Sequence, residues 1–215
     1  MTNKTRKLAI IGAGGHGKVI LDAALLMGCW ESVVFLDDSP KALLPSLLGI
    51  NIIGGSDLLG STIQADEYDL AIGIGDNHIR AKIFQAAKAL GFHFPCIIHP
   101  SATISKFTEI GEGTVLFAHS VVNPASTIGK CVIINTSASV DHDSHLGDFV
   151  HISPGVRLGG GVQIGDFSWM GIGSCTRHEI NIGSNCMIGA GAVVVKNILD
   201  NTTVIGNPAT PFKRK

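Results

Sequence analysis

A histidine between two carboxylates, Asp141-His142-Asp143, is the first group in this 215-residue chain with the makings of chemistry. A carboxylate bonded to one ring nitrogen fixes the tautomer and stabilises the imidazolium formed when the other nitrogen takes a proton, which is what a general base requires. A second candidate is Gly12-Ala13-Gly14-Gly15-His16-Gly17, a G-x-G-x-x-G turn. Between a strand and a helix, such a turn offers backbone N–H groups and a helix N-terminus to a diphosphate. A Ser/His/Asp hydrolase is a poor fit, because no G-x-S-x-G elbow occurs.

Composition narrows the class. The chain is 45% hydrophobic with a formal net charge of −1, which supports a sizeable core and gives no extended basic surface for nucleic acid. Lys213-Arg214-Lys215 reads as a solvated basic tail. Met1 to Lys7 are polar and basic, and the apolar run after them is cut by glycines, so neither a signal peptide nor a membrane span of about 20 residues is expected. The five cysteines (Cys29, Cys96, Cys131, Cys175, Cys186) form no C-x-x-C pair, which argues for reduced thiols in the cytoplasm and against disulfides or a thiolate zinc site.

The elements that must position these groups fall into two parts. Leu8 to Ile11 reads as a buried strand, Lys18 to Met27 as a helix closed by Gly28, and Val33 to Leu36 as a second strand ending in Asp37-Asp38. Acids at the end of a second strand, about twenty residues past the glycine turn, suit a ribose hydroxyl. A third strand is predicted over Ile50 to Ile53 and a fourth over Leu70 to Ile74, followed by Gly75-Asp76-Asn77. A helix from His78 to Leu90 carrying Arg80, and a closing strand at Cys96 to Ile98, complete this part. It is the size of one mononucleotide-binding half, suited to a nucleotide diphosphate with a group attached. Gly75, Asn77 and Arg80 are candidate contacts there, although Asn77 and Arg80 read equally well as a helix cap and a surface charge.

From Ile98 to Val194 an apolar residue returns every six positions, and only Thr176 breaks the series. Small or β-branched residues stand two places before each step, and Gly111, Gly129, Gly147, Gly165 and Gly183 recur every eighteen residues. Six is no multiple of 3.6, so this is a short strand plus a turn, repeated, and eighteen residues make one three-sided coil of a solenoid. Val204 to Ala209 reads as a piece capping the final coil. On such a solenoid His142, two after the inward Val140, and His151, one before the inward Ile152, are expected at the surface on different faces. With His145 they would be the ligands of any zinc site, but their side chains should diverge within one subunit.

The hexapeptide repeat over residues 102–194 resembles the left-handed β-helix acyltransferases. Joined to the glycine-rich N-terminal part, with Asn135-Thr136-Ser137 leading to Val140-Asp141-His142-Asp143, the whole chain is similar to the bacterial sugar-nucleotide acetyltransferases labelled sialic-acid O-acetyltransferase-like. The resemblance implies an α/β Rossmann-like domain with a parallel sheet over 1–98 and a left-handed parallel β-helix over 99–215. It implies an acetyl-CoA-dependent, metal-free N-acetyltransferase acting on a 4-amino sugar linked to UDP, dTDP or GDP, with His142 as general base and Asp143 as its neighbouring acid. Asn135 would lie near the sugar and His151 beside the acetyl group, while a backbone N–H at Gly160 would meet the thioester oxygen. Gly12, Gly14, His16, Gly17, Asp37, Asp38, Asn77 and Arg80 fall on the nucleotide-sugar side. Ile172, Gly173, Gly191, Lys196 and Pro208 fall along the pantetheine and adenine of acetyl-CoA. Members of the family are homotrimers with active sites between subunits, which would let His142 and His151 meet across an interface. The alternatives are O-acetylation of a hydroxyl such as that of sialic acid, a non-catalytic nucleotide-sugar binder, and a zinc hydratase.

Overall fold

The computed structural model describes residues 6–39 and 45–212, so the basic tail and Met1 to Thr5 lie outside the described residues. The chain divides into two compact units, Met1–Pro100 and Ser101–Lys215.

The first unit is built on a three-stranded parallel sheet of β1 (Lys7–Ile11), β2 (Val33–Leu36) and a later strand, Tyr68–Ile72, in the order β2, β1, Tyr68–Ile72. Leu8, Ala9, Ile10 and Leu70 are fully buried, as expected where helices cover a parallel sheet. Helix α1 (Gly15–Met27) follows β1 and ends on Gly28, whose φ of 62° is the left-handed C-cap that favours glycine. The third strand expected over Ile50 to Ile53 is absent from this sheet. Ser46–Leu47 (β3) and Ile50–Asn51 (β4) pair antiparallel as a small hairpin instead, and Ile52 makes only an isolated bridge to Phe35. With Tyr68–Ile72 as β5, helix α2 (Asn77–Ala89) comes next, then a two-residue strand β6 (Ile97–Ile98). The segment expected to close the sheet is not one of its strands; Ile98 N–H instead donates to Met27 Sδ at the end of α1 (3.2 Å).

The second unit is a parallel β-helix with three faces. The first face carries Thr103–Ile104, Val121–Val122, Ser139–Val140, Arg157–Leu158, Cys175–Thr176 and Val193–Val194. The second carries Glu109–Ile110, Thr127–Ile128, His145–Leu146, Gln163–Ile164 and Asn181–Ile182. The third includes Val115–Leu116, Ile133–Ile134, His151–Ile152, Trp169–Met170, Met187–Ile188 and Thr203–Ile205, the last joined antiparallel by Thr210–Pro211. Strands one coil apart pair in parallel register eighteen residues on, such as Val122 with Val140. A left-handed turn residue recurs every six positions from Gly113 to Gly191. This places one small inward residue per turn, and Ser126, Ala138, Val150 and Val162 are all buried.

The eighteen-residue glycine series has a steric cause at the corner between the second and third faces. A Cβ on Gly129 would stand 2.6 Å from the Gly147 carbonyl carbon and 2.7 Å from Asp148 Oδ1, so successive coils meet backbone to backbone. Gly129→Ala should therefore lower stability by about 1–3 kcal/mol, the usual cost of overpacking, measured as a shift of the urea midpoint at unchanged slope.

Candidate active site

His142 occupies the corner between the first and second faces, in the turn joining Ser139–Val140 to His145–Leu146. The turn is tied down on several sides. Ser126 Oγ donates to the Asp141 carbonyl (3.0 Å), Asp143 N–H to the Pro124 carbonyl (3.1 Å) and Gly161 N–H to the His142 carbonyl (2.8 Å). Asp143 takes the left-handed turn conformation (φ 58°), and its Oδ2 lies 2.6 Å from His142 Nδ1. Asp141 has a different part: its Oδ1 accepts from Asn123 Nδ2 (2.7 Å) and from His142 N–H (2.8 Å). The Asn123 bond foremost, with the His142 amide, holds the Asp141 carboxyl below its ordinary range. The bond to Asp143, with the charge of Asp141 behind it, raises the pKa of His142 above the ordinary histidine value. When Nδ1–H donates to Asp143, the lone pair sits on Nε2.

Gly160, one coil on, makes room for the ring. A Cβ there would be 2.7 Å from both Cε1 and Nε2 of His142, so the Cε1–Nε2 edge of the imidazole lies over bare backbone. The Gly160 carbonyl accepts from Glu179 N–H (2.8 Å), while the Gly160 N–H donates to no other described residue. Asp141, His142, Asp143, Gly159 to Gly161 and Thr176 to Glu179 line a groove of about 690 Å³. Asn123 and Arg177 to Glu179 escaped the sequence reading, and Thr176 was marked there only as the break in the apolar series, though the eighteen-residue spacing places 123, 159 and 177 in register with 141.

The other expected residues fall elsewhere. Lys196 is exposed on the His142 corner, two coils past Gly160. Asn135, Ile172, Gly173 and Gly191 lie at a different corner, between the third and first faces, where Ile172 is exposed and a Cβ at Gly173 or Gly191 would meet open space. Pro208 is exposed in the turn before Thr210–Pro211. His151 corrects the expectation of a surface group. It points outward from the third face but is only 6% exposed, because Trp169 one coil on stacks over it at 4.4 Å between ring centroids. His142, His145 and His151 thus occupy a corner and two different faces, and among the described residues no group of three or more histidine, cysteine or acidic side chains is placed to hold a metal.

In the first unit the glycine-rich turn is a backbone contact before it is anything else. Gly12 has φ 102°, its N–H donates to the Leu36 carbonyl (2.7 Å), and a Cβ on Gly17 would collide with the Gly12 carbonyl oxygen. Gly73, unmarked in the sequence, completes this contact, since a Cβ there would stand 2.7 Å from the same oxygen. Gly14 and Gly15, by contrast, border open space at the N-terminus of α1, with the half-buried His16 beside them. Asp37 accepts from Ala13 N–H (2.6 Å) and Ser39 N–H (2.7 Å), and Asp38 from Ser56 N–H (2.6 Å) and the Ser56 hydroxyl (2.8 Å), so both acids anchor loops. Arg80 is not a surface charge. It is 2% exposed, and its guanidinium donates to the Ile74 and Gly75 carbonyls (3.1 and 3.0 Å) and to Asn77 Oδ1 (2.9 Å). The cap of α2 is Asp76, which accepts from Ile79 N–H (2.9 Å), and Asn77 is the buried residue after it.

Comparison with known proteins decides the family. Residues 7–87 match the PglD N-terminal domain. The acetyltransferase domain of PglB from Neisseria gonorrhoeae is 46% identical, covers 96% of this chain and 100% of that domain, and superimposes with a TM-score of 0.93. This chain belongs to the same family of bacterial nucleotide-sugar acetyltransferases. Another member of the acetyltransferase family, PerB from Caulobacter crescentus, solved in complex with CoA and GDP-perosamine, is 35% identical over 96% of this chain and 97% of that one, with a TM-score of 0.90. UDP-N-acetylbacillosamine N-acetyltransferase of Bacillus subtilis is 34% identical over 53% of this chain, and the match spans about half (52%) of that enzyme. Among the described residues no helix is long and apolar enough to cross a membrane.

Proposed function

We propose that this chain transfers the acetyl group of acetyl-CoA to the amino group of a nucleotide-linked 4-amino-4,6-dideoxyhexose, with His142 as general base. Its class follows from the family: it is an acetyl-CoA-dependent sugar N-acetyltransferase, and acetyl-CoA is its co-substrate. The observation that supports His142 as the base is the 2.6 Å contact of its Nδ1 with Asp143, with the Nε2 edge lying over Gly160. The neutral amine attacks the thioester carbon, Nε2 takes the proton, and the tetrahedral intermediate collapses by breaking the C–S bond. The departing CoA thiolate recovers a proton from the imidazolium. The Gly160 N–H supplies a donor to the oxyanion.

The open N-terminus of α1 at Gly14 and Gly15 favours an anion, and we assign the nucleotide diphosphate to it. Asp37 and Asp38 retain acceptor capacity for a ribose hydroxyl, whereas buried Arg80 and Asn77 act through the Gly75 loop they hold. Ile172, Gly173 and Gly191, with Asn135, serve the groove of a neighbouring subunit in a homotrimer, because they lie one corner away from His142 on their own. His151, with Pro208 and Lys196, is assigned to the acetyl-CoA side of that shared site. Five free cysteines suit a reducing compartment, the cytoplasm.

The test is a panel of UDP-, dTDP- and GDP-linked 4-amino-6-deoxyhexoses with acetyl-CoA, following release of free thiol. Turnover of at least one is expected. No turnover on any, with activity on sialic acid or a free sugar, would overturn the assignment. The pH profile gives a second check. A base must be neutral to act, so kcat/KM should rise with pH through an apparent pKa above the ordinary value of about 6.5. In Asp143→Asn that limb should move to lower pH while the plateau falls, because the anion that stabilises the imidazolium is gone.

A further inference from the structure

Thr176, the one break in the six-residue apolar series from Ile98 to Val194, stands beside the groove. On the first face Ser105, Asn123 and Arg177 each donate their N–H to the carbonyl of an inward residue one coil on, Val122, Val140 and Val194, at 2.9–3.0 Å. Asp141 makes no such bond among the described residues, and Gly159 departs from the pattern in another way. Its N–H donates to the hydroxyl of Thr176 at 3.0 Å. The strand pairing records the same departure. Arg157–Leu158 and Cys175–Thr176 share a single register pair, Arg157 with Cys175, where the neighbouring strands of this face share two. Leu158 and Val194, below and above, are buried, while Thr176 is half-buried and reaches the groove wall. An unbroken apolar series would place valine or isoleucine here, with better burial and no hydroxyl to satisfy.

We infer that Thr176 is a positioning residue for acyl transfer. Its hydroxyl replaces a ladder carbonyl, opens the Leu158/Thr176 rung, and holds the Gly159–Gly161 turn over which the His142 ring lies. It thereby sets the direction of the Gly160 N–H toward the thioester oxygen. This rests on the assignment of the His142 groove as the reacting site. Thr176 touches neither substrate; it acts through the glycine turn.

The experiment compares Thr176→Val, Thr176→Ser and His142→Ala in thiol release from acetyl-CoA, on whichever member of the nucleotide-sugar panel turns over fastest. Thr176→Val is expected to lose about tenfold or more in kcat, with KM for both substrates changed by less than about threefold, since a misdirected donor weakens the transition state above all. Its melting temperature should equal or exceed that of the wild type, because valine restores the apolar rung. Thr176→Ser, which keeps the acceptor, should restore kcat to within about threefold. The inference is overturned if Thr176→Val retains wild-type kcat while His142→Ala is inactive. It is also overturned if the valine and serine variants lose kcat and melting temperature together. Wild-type turnover by His142→Ala would instead overturn the assignment of the groove.

Discussion

Replacing His142 by alanine is expected to reduce acetyl transfer by about 10²–10⁴-fold, the range that a positioned general base contributes. The fold should not change with it. The His142 side chain is 61% exposed, and its carbonyl and N–H bonds to Gly161 and Asp141 belong to the backbone, which alanine keeps. Acetyl-CoA binding should survive as well, so the loss belongs in kcat, and calorimetry alongside the thiol assay separates the two. The residual rate carries information about the acceptor. An amine can shed its proton to water before attack, so some turnover should remain and rise with pH; a hydroxyl acceptor leans more on the base and would leave less. A variant with wild-type kcat would remove His142 from the chemistry.

Gly160→Ala should be nearly as damaging to activity while costing little stability. The new Cβ would stand 2.7 Å from Cε1 and Nε2 of His142, closer than atoms tolerate, and the atom that must yield is the far edge of an exposed ring. The ring swings aside, breaking its alignment with Asp143, and a displacement of about 1 Å at a reacting group costs on the order of 10²-fold. The melting temperature should stay within about 2 °C of the wild type, because surface adjustments away from packed features are worth less than about 0.5 kcal/mol. Gly129→Ala makes the contrast. There the Cβ meets backbone, which cannot swing away, so stability falls. Equal kinetics for Gly160→Ala and wild type would show that the ring does not work from the position it occupies here.

The solenoid was legible in the sequence because each coil repeats the same burial problem. An inward apolar residue every six positions and a glycine every eighteen are imposed by the strand ladder and by the close backbone approach at the corner between the second and third faces. Asp141-His142-Asp143 stood out in the sequence for the residue types it combines, and the structure distinguishes its acids: Asp143 contacts the ring, Asp141 braces the turn through Asn123. What escaped depends on contacts between coils or between segments. His151 is covered by a tryptophan eighteen residues on, which a local in-or-out rule does not see. Arg80 turns inward because the chain ending β5 offers it two carbonyls, something a helical position by itself does not reveal. Ile50 to Ile53 has the apolar character of a sheet strand, yet Ile50–Asn51 pairs with the Ser46–Leu47 segment before it, and short apolar runs do not specify their partners. Thr176 was visible as an exception; only its bond to Gly159 says what the exception is for.

A crystal structure of the full chain with CoA and a nucleotide-linked 4-amino sugar bound bears most directly on where the reaction takes place. The sugar amine should lie within about 3 Å of His142 Nε2, with the CoA thiol beside the Gly160 N–H and with Ile172 and Gly173 of an adjoining copy walling the groove. A sugar amine or a CoA thiol bound away from the Asp141–Asp143 corner would contradict that placement.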